Sequence, residues 1–287
     1  SRCPVIVAPA MDLDMFQHSA TQANLQMLQN RGVPIIEPDS GALASGLEGK
    51  GRMAEPEAIA DWMENWLQKQ APLNGKKVVI TAGPTHEPID AVRFIGNRSS
   101  GKMGFALAQE LQSAGADVHL IAGPVQLTAP AGVQVTHVET AVEMHKAAMV
   151  AFAQADIGIA TAAVADYRAK TVVSNKLHRD EMPPAVELEE NPDILADWGK
   201  YKKNGQFLVG FALETDQGED SAKLKLKRKN LDFIVLNSTM DPGAGFGTDT
   251  NKISIFEKNG KSHIFELKSK AAVAQDITKL IMTLLPQ

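Results

Sequence analysis

Arg93 and Asn97 stand four residues apart in "TAGPTHEPIDAVRFIGNRSSGKMG", just ahead of a helix start. An Arg fork pairs with carboxylate or phosphate. An Asn amide can hold a carbonyl or an acyl phosphate while negative charge develops on it. The same stretch carries Gly96, four residues and then Gly101-Lys102, the beginning of a phosphate-loop pattern. Met103, however, occupies the place of the Ser or Thr that would bind magnesium, and residues 83–96 separate the pattern from the strand it should follow. What remains is a helix opened by Ser99, Ser100 and Gly101, whose free backbone N–H groups favour an anion. Taken alone, such a start is equally an ordinary Ser N-cap.

Four further clusters carry chemistry. In "ATAAVADYR" the small residues Ala162, Ala163 and Val164 at a strand end let a ligand approach the backbone, and Asp166 after them could carry a metal ion or a ribose hydroxyl. "NKLHR" places Lys176 and Arg179 in a polar loop. In "KLKLKRKN", Lys225 and Lys229 share one helix face, an arrangement most often merely solvated. "NPDIL" reads as a helix start with Asn191 as cap and Pro192 in the first turn, a structural role. The histidines show no zinc-ligand spacing, no G-x-S-x-G occurs, and Cys3 makes a poor nucleophile. The G-x-G-x-x-G dinucleotide fingerprint follows none of the strands. "GAGFGT" comes nearest but precedes a hairpin.

These clusters need elements to hold them. Short apolar strands at "KVVITAG", "DVHLIAG", "VQVTHV", "DIGIATAAV", "FLVGFAL" and "DFIVLN" alternate with helical patterns over 102–114, 141–154, 192–203 and 221–230. That alternation predicts an α/β fold, a Rossmann-like parallel sheet covered by helices, with ligands beyond the C-terminal strand ends. "NKISIFEKNGKSHIFEL" predicts an antiparallel hairpin excursion turning at Asn259-Gly260, and a final helix spans 269–285. The polar stretch "QKQAPLNGK" divides the chain into residues 1–72 and 73–287. The first block offers strands at "PVIVAPA" and "VPIIEP", helices over 19–30 and 55–67, and the Gly-rich loop "SGALASGLEGKGRM". So little strand makes a poor core by itself. The chain opens inside an apolar run without an initiator Met, as a strand entered midway would.

A net charge of −5 gives no reason to expect nucleic acid or an anionic membrane surface as partner. No apolar run reaches membrane-spanning length, and the lone cysteine suits a reducing, cytoplasmic setting.

In order along the chain, "TAGPTHEPIDAVRFIGNRSSGKMG", "ATAAVADYR", "NKLHR", "ENPDIL", "VGFALET", "KRKNLDFIVLN" and "GFGTDTN" resemble the phosphopantothenate–cysteine ligase part of bacterial coenzyme A biosynthesis proteins. The first 70 or so residues resemble the end of the partner decarboxylase, through "APAMDLDM" and the Gly-rich loop. The resemblance implies a two-step ligation. The carboxylate of 4'-phosphopantothenate attacks the α-phosphate of CTP, giving an acyl-cytidylate and pyrophosphate; the amine of cysteine then displaces CMP. It further implies that Lys176, Lys225 and Lys229 contact the nucleotide with Mg²⁺ assisting. Ala162 to Val164, Asp166, Asn191, Pro192, Asp193, Ile194 and Phe211 would line its base and ribose side. Arg93 and Asn97 would handle phosphopantothenate and the acyl-cytidylate, and Ser99 to Gly101 would receive phosphate. A homodimer is implied, with the hairpin as an arm to the partner; a simple sheet extension reads the same residues equally well. CTP rests on the resemblance, since ATP presents the same triphosphate to these lysines.

The sequence departs from the family pattern in two places. The K-x-K-K loop is Lys176-Leu177-His178-Arg179 here, with one positive charge fewer at neutral pH. In the decarboxylase-like block, Asp12 stands where Asn is usual, and Ser45 where the covering loop carries Cys. This block is therefore expected to be a remnant that does not decarboxylate alone, with FMN belonging to a missing portion. Two rival readings are a nicotinamide or flavin oxidoreductase on the same sheet, disfavoured by the missing fingerprint, and a non-catalytic regulatory subunit, disfavoured by Asn97, Arg93 and Lys176.

Overall fold

The computed structural model describes residues 3–178, 185–214, 218–238 and 247–285. The chain divides into two compact units, Ser1–Ala71 and Pro72–Gln287.

The first unit holds α1 (Leu13–Gln17), α2 (Ser19–Asn30), β1 (Asp39–Ala42), β2 (Glu48–Arg52) and α3 (Pro56–Gln70). Asp12 caps α1 by accepting from the Leu13 N–H at 2.6 Å. The strands expected at "PVIVAPA" and "VPIIEP" reduce to a single parallel bridge between Val7 and Ile35. Pro4, Pro9, Pro34 and Pro38 remove the N–H donors a longer ladder would need. The Gly-rich stretch, expected as a loop, instead folds into the antiparallel β1–β2 pair. Among the described residues, only Phe16, Ile36 and Ala54 are buried hydrophobics here.

The second unit runs β3 (Lys77–Ala82), β4 (His86–Pro88), β5 (Phe94–Gly96), α4 (Lys102–Ser113), β6 (Asp117–Ala122), β7 (Gln134–His137), α5 (Ala141–Phe152), β8 (Ile157–Ala160), β9 (Tyr167–Ala169), β10 (Leu188–Glu190), α6 (Ile194–Tyr201), β11 (Phe207–Glu214), α7 (Gly218–Arg228), β12 (Phe233–Ser238), β13 (Thr250–Glu257), β14 (Ser262–Ser269) and α8 (Lys270–Leu284). Eight of these strands form one sheet in the order β14-β13-β12-β11-β8-β3-β6-β7. From β7 to β12 every pairing is parallel, while β13 and β14 join antiparallel. Numbered along the chain, the six parallel strands lie 3-2-1-4-5-6, the order of dinucleotide-binding folds, with the reversal between β3 and β8. The expected α/β architecture is therefore present, and the hairpin continues the sheet, with Gly260 at φ 92° closing its turn.

Alternate residues of each strand face opposite layers. Val78, Ile80, Ile159, Val235 and Ile253 pack beneath α4 and α8, and Val79, Ile121, Leu208 and Ile234 beneath α5, α6 and α7. Trp198 of α6 is fully buried against Phe152, and its indole N–H donates to the Ala148 carbonyl at 3.2 Å. The strand expected over 156–164 stops at Ala160, because the chain beyond leaves the sheet to build the site.

Candidate active site

The site lies beyond the C-terminal ends of β3, β8 and β11, where the strand order reverses and a crevice opens. Two cavities meet there. One, of about 300 Å³, lies against the start of α4, with Asn97, Ser99, Ser100 and Gly101 on one wall. The other, of about 500 Å³, lies between the chain after β8 and the start of α6, with Asp166, Asn191, Pro192, Asp193, Ile194 and Lys229 around it. Ala162, Ala163 and Phe211 belong to both and form the shared wall, and Val164 lines the second.

Helix α4 reaches this place because of two glycines. Gly101 is its N-cap in a left-handed conformation, φ 74°, with no side chain capping the first turn. The cap is thus Gly101 rather than Ser99 or Ser100; Ser99 Oγ accepts only weakly, from the Gly101 N–H at 3.4 Å. The unfilled N–H groups point at the first cavity's wall, a setting that favours anions. Gly104 lets the first turn lie directly on the strands, since a Cβ there would sit 2.5 Å from both Ala82 Cβ and Thr161 Oγ1. Lys102 lines the first cavity. Its ammonium donates to Asp249 Oδ1 at 2.6 Å and to the Gly247 carbonyl at 3.3 Å, holding the Asp249 carboxyl below its ordinary range.

The segment 83–101 and the segment after β8 are laced together. The Ala163 N–H donates to Gly83 O, the Ala165 N–H to Thr85 Oγ1 and the Val173 N–H to Ile89 O. Asn97 completes the lacing, with Nδ2 donating to Ala163 O at 2.9 Å and to Val164 O at 3.1 Å. The amide thus holds the shared wall at Ala163 and the second cavity's wall at Val164, and Oδ1 remains available as an acceptor.

Asp90, which sequence reasoning missed, holds Arg93 and the backbone at Leu177. Its buried carboxylate accepts from the Val92 and Arg93 N–H groups, from the Leu177 N–H and, at 2.6 Å, from Arg93 Nη1. The Val92 hydrogen bond is the main reason its carboxyl lies below the ordinary range. Burial opposes this, and the Arg93 and Leu177 N–H groups with the Arg93 charge complete it. Arg93 also donates to Leu177 O, so the Arg93 and Lys176 segments are brought together. Neither side chain lines the two cavities, and Lys176 is exposed. Arg179 lies outside the described residues. The signal for Asp90 was its spacing: an Asp two and three residues ahead of Val92 and Arg93 is an Asx-turn pattern.

At the second cavity the helix cap differs from the expectation. Asp193, not Asn191, caps α6, accepting from the Ala196 N–H at 2.9 Å. Asn191 instead ties the rim, donating to Ala165 O and accepting from Arg168. Lys229 pairs with Asp193 at 2.7 Å. Burial opposes ionisation of Asp193, but the hydrogen bonds from Lys229 and the Ala196 N–H outweigh it and hold the carboxyl below its ordinary range. Lys225 lies one turn earlier and lines neither cavity. Asp166 is exposed at the rim, and no cluster of three or more His, Cys, Asp or Glu side chains capable of holding a metal occurs among the described residues.

Strand order, a crevice at the reversal and an open helix N-terminus define a Rossmann-type α/β protein. A family model described as the DNA/pantothenate metabolism flavoprotein C-terminal domain matches residues 73–285, and the chain belongs to that family. A flavoprotein model matches residues 1–68. Over 282 residues the chain is 45% identical to the coenzyme A biosynthesis bifunctional protein CoaBC of Haemophilus influenzae, covering 98% of this chain and 70% of that protein. It is 52% identical over 289 residues to a cysteine/cysteine sulfinic acid decarboxylase from an unknown prokaryotic organism, covering 99% of this chain and 80% of that one. A solved C-terminal domain of CoaBC matches with a TM-score of 0.65 and 40% identity, over 75% of this chain and 98% of that one.

The flavoprotein match corrects the reading of the first unit. It is a flavoprotein segment, not merely a remnant, and the expectations that the chain does not decarboxylate alone and that FMN concerns only a missing portion conflict with the match. In this unit Asp12 and His18 cap helices, Gln22 donates to Phe16 O at 2.5 Å, and Lys50 pairs with Glu37 at an exposed position. No helix of the described residues is long and apolar enough to cross a membrane.

Proposed function

We propose that this chain serves coenzyme A biosynthesis by joining 4'-phosphopantothenate to L-cysteine with CTP. The observation that carries the reading is the shared wall of Ala162, Ala163 and Phe211, clasped by Asn97, between a nucleotide-sized cavity and an open helix N-terminus. The family membership and the CoaBC relatives support it.

In this reading the second cavity takes the nucleoside, with Asp166 and Asn191 near the ribose and Ala162 to Val164, Pro192, Asp193, Ile194 and Phe211 around it. Lys176, Lys225 and Lys229 neutralise the polyphosphate, and the N–H groups after Ser99, Ser100 and Gly101 receive the α-phosphate. A substrate carboxylate oxygen attacks the α-phosphorus, the P–O bond to pyrophosphate breaks, and an acyl-cytidylate forms. The cysteine nitrogen then attacks the acyl carbon, the C–O bond to CMP breaks, and the nitrogen releases a proton to solvent. Arg93 binds the anionic substrate, while Asn97 keeps the wall in register beside the acyl group. Mg²⁺ would screen phosphate charge, held by Asp166 together with phosphate oxygens and water, in keeping with its preference for few protein ligands. The chain works as a cytoplasmic homodimer in this reading.

The test is pyrophosphate formation. It should require phosphopantothenate and CTP, and turnover should require cysteine; ATP in place of CTP should give a lower kcat/KM. No pyrophosphate from the complete mixture removes the ligase reading. The name of the 52% identical relative favours a second reading, decarboxylation of cysteine or its sulfinic acid. CO₂ release from cysteine without CTP would establish that reading.

A further inference from the structure

The buried carboxylate of Asp90 takes no part in the ligation chemistry, and its two oxygens have separate partners. Oδ1 closes the local turn, accepting from the Val92 N–H at 2.8 Å and the Arg93 N–H at 2.7 Å. An Asx-turn needs nothing more. Oδ2 instead accepts from Arg93 Nη1 at 2.6 Å and, 87 positions along the chain, from the Leu177 N–H at 3.3 Å. Arg93 Nη1 also donates to Leu177 O at 3.2 Å. The ion pair therefore grips Leu177 by both its backbone N–H and its carbonyl. Earlier in the same segment the Val173 N–H donates to Ile89 O, within the turn that the Ile89 and Asp90 N–H groups close on Arg93 O. Lys176 lies between these two anchors, in a span pinned at both ends.

The same pair sets how Arg93 can be used. The Asp90 side chain is 0% exposed and that of Arg93 38%. Among the described residues, both hydrogen bonds of the guanidinium come from Nη1 and take up its two hydrogens. Three N–H donors remain, on Nε and Nη2, and two parallel N–H groups along that edge suit a carboxylate or phosphate. We propose that Asp90 is a positioning residue for the substrates. Its ion pair with Arg93 clamps Leu177, setting where Lys176 meets the nucleotide and turning the Nε–Nη2 edge of Arg93 to the anionic substrate. This rests on the ligase reading and adds to it the group that couples its two cationic side chains.

The separate oxygens allow the clamp to be removed without the turn. In Asp90→Asn the amide oxygen can still accept from Val92 and Arg93, while the NH₂ would face Arg93 Nη1 and the Leu177 N–H, donor against donor. Amide hydrogen exchange of the Leu177 N–H should quicken by at least ~10-fold, and that of Val92 and Arg93 should change by less than about 3-fold. In pyrophosphate formation, KM for CTP and for phosphopantothenate should each rise by roughly 10-fold. Adding Lys176→Gln to Asp90→Asn should lower kcat/KM for CTP by less than about 3-fold more, because one route carries both effects. Unchanged Leu177 exchange with unchanged KM values would reduce Asp90 to a turn residue. Losses that multiply in the double variant would overturn the coupling to Lys176. Should Asp90→Asn fail to fold, Arg93→Gln at its partly exposed position carries the test. It should quicken Leu177 exchange and raise KM for CTP, which loss of a phosphopantothenate contact alone would not do; an unchanged KM for CTP there overturns the clamp. A wild-type protein that forms no pyrophosphate removes the ligase reading and the substrate roles with it, and Leu177 exchange then decides the clamp by itself.

Discussion

At the scale of single residues, Asn97 and Asp193 have the clearest consequences. Asn97→Asp sets a carboxylate against the carbonyls of Ala163 and Val164, where two N–H donors now sit. We expect kcat for ligation to fall by at least ~10²-fold, comparable to losing one oxyanion donor. Near-native turnover would remove Asn97 from the site. The Asp193–Lys229 pair gives a pH signature. The folded-state value of Asp193 is depressed, so its contribution to stability is present above the ordinary value of 3.8 and is lost as pH falls through the lower folded value. Lys229→Met should therefore cost about 0.5–1 kcal/mol near neutral pH. That difference should shrink in acid, measured by urea unfolding at several pH values; a cost independent of pH would assign Lys229 a packing role only. Asn97, Lys229 and the small residues after β8 were legible from type and position. The link from Leu177 to Asp90 was not, because the fold unites two segments 87 residues apart and no local pattern marks such a meeting.

At the scale of elements, α4 depends on how closely it can lie on β3 and the chain after β8. Gly104→Ala adds one methyl 2.5 Å from Ala82 Cβ and Thr161 Oγ1, neither of them the far end of a flexible side chain. Helix propensity alone would favour Ala by about 1 kcal/mol. Overpacking costs about 1–3 kcal/mol, so the net effect should be destabilising and should also weaken activity by displacing the Gly101 cap. A more stable variant would show that α4 has room to spare. The strands and helices around this point followed from apolar periodicity, and their ends did not. The strand after 156 read as longer because Ala162 to Val164 are as apolar as the strand itself and Thr161 is β-branched. Their backbone is instead committed to the 83–101 segment, an arrangement that periodicity cannot express.

At the scale of the whole molecule, both large buried clusters lie within residues 72–287, and among the described residues the first unit contributes only Phe16, Ile36 and Ala54 to the buried hydrophobics. A chain of residues 72–287 should fold with a single cooperative transition and retain pyrophosphate formation within about 3-fold of the full chain. A molten product, judged by lost near-ultraviolet circular dichroism, would show that the second unit needs the first. The polar stretch "QKQAPLNGK" spans the boundary between the two units. The pairing within the first unit was not legible in the sequence, since its prolines break the strands that apolar runs suggest.

The lacing of 83–101 to the segment after β8 also affects how the molecule breathes. Rims of binding crevices usually exchange their amide hydrogens quickly. Here the amides of Ala163, Ala165, Val173 and Leu177 each donate across the rim, to Gly83, Thr85, Ile89 and Asp90. In deuterated solvent these four should retain their protons nearly as long as amides in the middle of the sheet. Substrates would then meet a rim that opens only when the surrounding scaffold does.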